Sequence, residues 1–209
     1  MPLASAVMDE SAALLNDASK TLYTYAVQLP FCASAWNKLQ LELYVYGLIV
    51  IQEISAVIEV AADATLIASP SDLIQPIEVQ ERKDGTTDLF VDVEEVAEIP
   101  EMDQVEDIIY WTWREEVIYI NSPSTAREAK VRYKKGLNAC SSQSSSLNVI
   151  NSLEYLANKT AALCARSIGE NPTRADALEI EASQALDRLL RSEINAKQSL
   201  PVRPHGYGN

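Results

Sequence analysis

The side chains that could do chemistry in this chain are few, and the histidine is the most informative. The only one, His205, lies in the tail Leu200-Pro-Val-Arg-Pro-His-Gly-Tyr-Gly-Asn209. Two prolines there remove backbone donors and two glycines loosen the final residues, so the tail has no fold of its own. An internal active site would therefore lack the commonest general base, and a Ser or Cys nucleophile would have no imidazole to activate it. Three cysteines, Cys32, Cys140 and Cys164, are an odd number without C-x-x-C spacing, so neither a disulfide framework nor a zinc site is expected. Cys32 and Cys164 sit among apolar helical residues and read as small core hydrophobes, whereas Cys140 falls in a polar stretch open to solvent. No glycine pattern matches a phosphate loop or a dinucleotide fingerprint. The remaining enzymatic chemistry is a carboxylate pair, drawn from Glu94, Glu95, Glu98 and Glu101, or from Glu115 and Glu116. These stand in polar stretches where nothing withdraws a carboxyl from water, as general-acid work requires. The acidic stretch also lacks the D-x-D-x-D-G order of a calcium loop. The sequence thus predicts no enzyme, no catalytic residue, no cofactor and no metal.

Charge points elsewhere. Of a formal net charge of −13, most falls between Glu78 and Asp107, where twelve acidic residues face only Arg82 and Lys83. From Pro123 onward the balance is mildly basic, twelve against eight. No Lys/Arg cluster is dense enough for direct groove reading of nucleic acid. An acidic surface, with Glu94, Glu95, Glu98, Glu101 and Asp103 at its centre, would instead repel DNA and let it slide past.

The elements that must position these residues can be read from periodicity. Val7, Leu14 and Leu15 mark an amphipathic helix over 5–18. Thr24 is a possible helix cap, but Pro30 interrupts the pattern, which places the continuous second helix at 30–46. From Ile54 the period changes to two, and 54–60 reads as one strand. Further short strands come at 65–68, 74–80 and 90–93, then an acidic loop at 94–104. A hairpin pairs 108–113 with 117–120, and 127–134 alternates Ala129, Val131 and Tyr133 against Lys130, Arg132 and Lys134. Trp111 and Trp113 share one strand face, either packed in the β core or exposed at a subunit contact, where Trp is enriched. After a Ser-rich linker at 138–146 the 3.6-residue period returns, from Ile150 to Ile168 with Gly169 as the stop. Asn171 and Pro172 then start a last helix. Its Ala182, Ala185 and Leu189 belong to a seam suited to close helix packing, within the chain or between subunits.

The fold class predicted is α+β: mainly an α-helical bundle from the N-terminal (1–52) and C-terminal (136–199) helices. An antiparallel, acidic β-rich insertion (53–135) and an extended tail (200–209) complete it. No apolar run reaches the ~18 residues of a membrane span. The N-terminus lacks the pattern of a signal peptide, so the expectation is synthesis in the cytoplasm.

In order along the chain come Ala13-Leu-Leu-Asn-Asp17, Leu29-Pro-Phe31, Leu39-Gln-Leu-Glu-Leu43, Val57-Ile-Glu-Val60 and Leu73-Ile-Gln-Pro-Ile-Glu-Val-Gln-Glu-Arg82. Then come Trp111-Thr-Trp-Arg-Glu-Glu116, Thr160-Ala-Ala-Leu-Cys164, Ile168-Gly-Glu-Asn171 and Arg203-Pro204. With these stations the chain resembles the head–tail connector (adaptor) proteins of tailed bacteriophages. The resemblance implies a virion neck component, a homo-oligomeric ring, commonly a dodecamer, seated under the portal protein. Such a ring forms a conduit for DNA and a platform for downstream neck and tail proteins. It also implies that the tail hooks into the portal, with Leu200, Arg203, Pro204, His205 and Tyr207 as the contacts. Related tails carry several arginines before the proline. Here Arg203 stands alone, so docking would rest on shape and Tyr207 more than on charge. The rival class is a cytosolic helical protein-interaction module, a regulator whose acidic loop binds a basic partner.

Overall fold

The computed structural model describes residues 1–48, 51–168 and 172–196. It divides into two units, one built from both ends of the chain and one from Ile51–Leu137. The first holds four helices: α1 (Ala4–Leu14), α2 (Tyr25–Val45), α3 (Leu153–Ile168) and α4 (Pro172–Ala196). Helix α1 ends earlier than its apolar pattern suggests because Asn16 takes a positive φ of 59°. Asp17 then organises the turn, its carboxylate accepting the backbone N–H groups of Thr21 (2.9 Å), Leu22 (2.8 Å) and Tyr23 (2.7 Å). Back along α1, Asp9 accepts from Lys20 Nζ (2.7 Å) and from the Tyr25 hydroxyl (2.6 Å).

Thr24 caps α2, its Oγ1 accepting the Val27 N–H at 3.4 Å, and the helix starts a turn earlier than the 30–46 predicted. Pro30 lies inside it. As the sixth helical residue it removes one helical hydrogen bond, the one that would run to the Ala26 carbonyl, and because Ala26 is exposed that carbonyl can be hydrated instead. Helix α3 packs against each of the other three and is buried on most sides. Its Ala157, Ala161, Ala162 and Ala165 let the neighbours approach closely. Along the α3–α4 seam Lys159 pairs with Glu179, Arg188 with Glu154, and Arg166 with Asp176 at 3.0 Å.

The second unit corrects the fold class. The chain is not a mainly helical bundle: Ile51–Leu137 forms a large, curled, eight-stranded sheet with its own core. The strands are β1 (Gln52–Ile54), β2 (Ile58–Val60), β3 (Leu66–Ile67) and β4 (Leu73–Lys83). Then come β5 (Val91–Glu95), β6 (Tyr110–Arg114), β7 (Val117–Ile120) and β8 (Arg127–Lys135). Their order is β1-β8-β4-β5-β6-β7-β3, with β2 also on β8. Nor is the sheet purely antiparallel, because β5 and β6 run parallel. The single strand predicted over 54–60 is broken in two. The Ser55 N–H donates to the Val131 carbonyl (2.8 Å), and the Ser55 hydroxyl accepts the Val131 N–H (3.0 Å) in place of a backbone carbonyl. The β6–β7 turn uses Glu115 (φ 54°) and Glu116 (φ 61°), a left-handed two-residue turn whose twist suits a hairpin. Val79, Val93, Trp111, Ile118, Ile120, Val131 and Tyr133 form the core of this unit.

Hydrogen bonds from the Tyr23, Thr21 and Leu22 amides hold the Asp17 carboxyl below its ordinary range. The stability it supplies is therefore complete above its unfolded value of about 4 and disappears as pH falls through the lower folded value. We expect Asp17→Asn to lower the denaturant midpoint at pH 7 and to flatten the loss of stability on acidification. Chemical unfolding of both proteins at pH 7 and pH 3.5 measures this, and parallel pH profiles would refute it.

Candidate functional site

Parallel strands cannot be joined by a tight turn. Residues 96–109 must therefore carry the chain from the end of β5 back to the start of β6, and this return segment holds most of the acidic surface. Its base is fastened at several points. The Val96 N–H donates to the Trp111 carbonyl (2.9 Å), and the Thr112 hydroxyl to the Ala97 carbonyl (3.3 Å). At the far end the Ser124 N–H donates to the Val105 carbonyl (2.7 Å), and the Thr125 hydroxyl to the Glu106 carbonyl (3.3 Å). Gln104 is held by Asp63.

Asn121, buried at the end of β7, is the hub of the return. Its Oδ1 accepts the N–H groups of Ile109 (2.7 Å) and Tyr110 (2.9 Å), while its Nδ2 donates to the Asp107 carbonyl (2.9 Å). The buried Arg127 grips Glu81 with two hydrogen bonds, Nε to Oε2 at 2.6 Å and Nη2 to Oε1 at 2.8 Å. Arg127 Nη1 also reaches the Asp107 carboxylate at 3.0 Å. Burial raises the Glu81 carboxyl above its ordinary range, and Arg127 pulls it partly back.

Glu94 and Glu95 are strand residues at the end of β5, not loop residues as predicted, and Glu98, Glu101 and Asp103 come after them. All five are exposed, and none forms an ion pair among the described residues. They make an uncompensated acidic rim on a stem that is rigid at its base. Glu115 and Glu116 occupy the exposed β6–β7 turn. Fully hydrated carboxylates of this kind can exert charge on a partner, but they form no sequestered acid–base pair. Among the described residues no three His, Cys, Asp or Glu side chains gather as a metal site.

The other predicted positions separate. Trp111 is only 2% exposed, with its Nε1 donating to the Val93 carbonyl (3.2 Å), so it has no free surface to offer a subunit. Trp113 is partly buried against the same core. Ala182, Ala185 and Leu189 are buried within the helical unit on α4 and make an intrachain seam. Leu200, Arg203, Pro204, His205 and Tyr207 lie outside the described residues, as do Gly169 and Asn171. Cys140 is not open to solvent as expected but buried, close to Cys32.

Two features went unread in the sequence. Arg127 shares its parity with Ala129, Val131 and Tyr133, so its place on the buried face of β8 was available from alternation alone. The other is an unburied stripe on α2. Val27, Leu41 and Val45 are exposed on a face apart from the buried Cys32, Ala35, Trp36, Leu39 and Leu43, with half-buried Phe31 and Ser34 and exposed Lys38 between them. Phe31 and Tyr46, expected on the buried face, are half-buried and exposed. Leu41 is 61% exposed and Val45 69%. Compared with protein-family models and with curated proteins, the chain has no match.

We expect Asn121→Ala to cost about 2 kcal/mol, because two backbone donors lose their acceptor in a buried place. Hydrogen exchange should accelerate at the Ile109 and Tyr110 amides, and unchanged protection there would show that Asn121 is not the hub. Replacing Glu94, Glu95, Glu98, Glu101 and Asp103 by their amides should alter stability by no more than about 0.5 kcal/mol per site. Thermal unfolding of the neutralised protein checks that the rim serves no folding role.

Proposed function

We propose that the chain is a structural subunit of a tailed-bacteriophage neck, a head–tail connector that assembles as a ring beneath the portal protein. The observation that carries this reading is the acidic rim, exposed carboxylates that form no ion pair among the described residues, on a stem fastened by Asn121 and Arg127. Lining a passage, such charge keeps a polyanion from adhering while it moves through. The α2 stripe supports assembly, since a neighbouring copy would bury Leu41 and Val45. The order of sequence stations supplies the specific family, and residues 200–209, rich in proline and glycine, supply a segment suited to ordering on a partner. The function is mechanical and electrostatic: symmetric assembly on a portal template, a platform for downstream neck and tail proteins, and passive passage of DNA.

Quantitative mass spectrometry of purified virus particles from the source tests this, with the chain counted against the portal protein. A ratio near one is the expected result. Absence from particles would overturn the connector reading and favour an intracellular module whose acidic rim binds a basic partner. Removal of residues 200–209 should abolish co-purification with the portal protein, and retained binding would refute docking through the tail.

A further inference from the structure

Cys32 on α2 and Cys140 in the segment returning to α3 place their sulfurs 3.7 Å apart. Their approach is held by neighbouring contacts. One turn along α2 from Cys32, Trp36 Nε1 donates to the Asn138 carbonyl at 2.7 Å, so Asn138 and Cys140 track the helix over a single turn. The segment is fastened again to the start of α1: the Ala4 N–H donates to the Ser145 carbonyl (2.9 Å), the Ser5 N–H to Gln143 (2.8 Å), and the Leu147 N–H to Pro2 (2.9 Å). Ser145 Oγ accepts the N–H groups of Ser141 (3.2 Å) and Ser142 (3.0 Å), shaping the turn next to Cys140. Between these pins the segment has no regular secondary structure. It can shift by the fraction of an ångström that each sulfur needs to reach a bond of about 2.05 Å.

We propose that Cys32 and Cys140 form a redox site, closed by a small-molecule disulfide into an intramolecular bond that ties α2 to the returning segment. The two thiols are unequal. Cys140 retains 7% exposure and Cys32 none, so Cys140 is the one a small oxidant meets first. The contact with Cys32 holds the Cys140 thiol below its ordinary range, whereas the same contact and burial push the Cys32 thiol up. The thiolate is the attacking species, which again selects Cys140. Cys140 thiolate attacks one sulfur of the oxidant, forming a mixed disulfide and releasing one thiolate. Cys32 then gives up its proton to water, and its thiolate attacks Cys140 Sγ, expelling the second. One oxidant disulfide is reduced to two thiols while two cysteines become one cystine, so atoms and electrons balance. Cys164, buried in α3 with its thiol pushed up to about 12, remains reduced. This chemistry does not depend on the proposed function.

The test is to incubate the purified full-length protein with graded ratios of oxidised to reduced glutathione, then trap free thiols and map the peptides. We expect the free thiols to fall from three to one, a Cys32–Cys140 peptide with the mass of two hydrogens missing, and full reversal by dithiothreitol. Because the bond encloses the chain between positions 32 and 140, the oxidised protein should melt higher by on the order of 10 °C. Cys140→Ser should retain two thiols under oxidant, and Cys164→Ala should cross-link as the parent does. The Cys164→Ala result keeps the test valid should Cys140→Ser fail to fold. Three free thiols at every ratio, a glutathione adduct that Cys32 never displaces, a bond to Cys164, or a bond between chains would each overturn the proposal.

Discussion

The antiparallel ladder between β4 and β8 is the constraint on which the sheet unit depends. It runs from Leu73↔Lys135 to Lys83↔Arg127, with irregularities on either side of Pro76 that let a proline occupy a central strand. One side of β8 receives β1 and β2, and the far side of β4 receives β5. The register also sets Glu81 opposite Ala129 and diagonal to Arg127 on the buried face. On the other face it pairs Arg82 with Glu128 and Arg132 with Glu78, both at 2.5 Å. Partly exposed pairs of this kind contribute little each. Cohesion comes from the apolar face, and the buried Arg127–Glu81 pair acts on specificity. A slip of one residue would turn Arg127 to the opposite face and leave Glu81 buried without its cation.

That buried pair also links the fold to the acidic rim. Arg127 reaches Asp107 as well, and Asn121 holds the backbone of the same stretch. The rim thus starts and ends on groups that cannot move without disturbing the core. Its charge acts over roughly 8 Å at physiological salt, so it influences only what passes close by. In the proposed connector this fastened segment would present its charge to passing DNA, and the exposed Leu41 and Val45 of α2 would meet a neighbouring copy.

Much of this was legible in the sequence, and the failures have physical causes. The helical stripes, the Thr24 cap, the β6–β7 hairpin and the alternation of β8 are local, and local pattern reports them. The parallel pairing of β5 with β6 is a non-local choice, invisible to periodicity and decided by where residues 96–109 find hydrogen-bond partners. Ser55 breaks a well-alternating run because its hydroxyl competes with the backbone for the Val131 amide. Pro30 misled because the single backbone bond it removes is outweighed by the Thr24 cap before it and the buried face of α2 after it. For Cys140, a serine-rich neighbourhood suggested exposure, yet those serines satisfy backbone groups of the turn and leave the thiol pressed against α2. The strand read at 74–80 is β4, which runs on to Lys83; the polar Glu81, Arg82 and Lys83 hid that extension, although Glu81 is buried against Arg127.

One consequence of the sheet's edge concerns how such a chain can change over time. Gln52, near the start of the β unit, pairs directly with Lys134, near its close. The segment therefore leaves and rejoins the rest of the polypeptide through two adjacent strands, roughly 5 Å apart. A module whose ends lie this close together can be lengthened, shortened or exchanged for another without altering the spacing that the flanking helices must span.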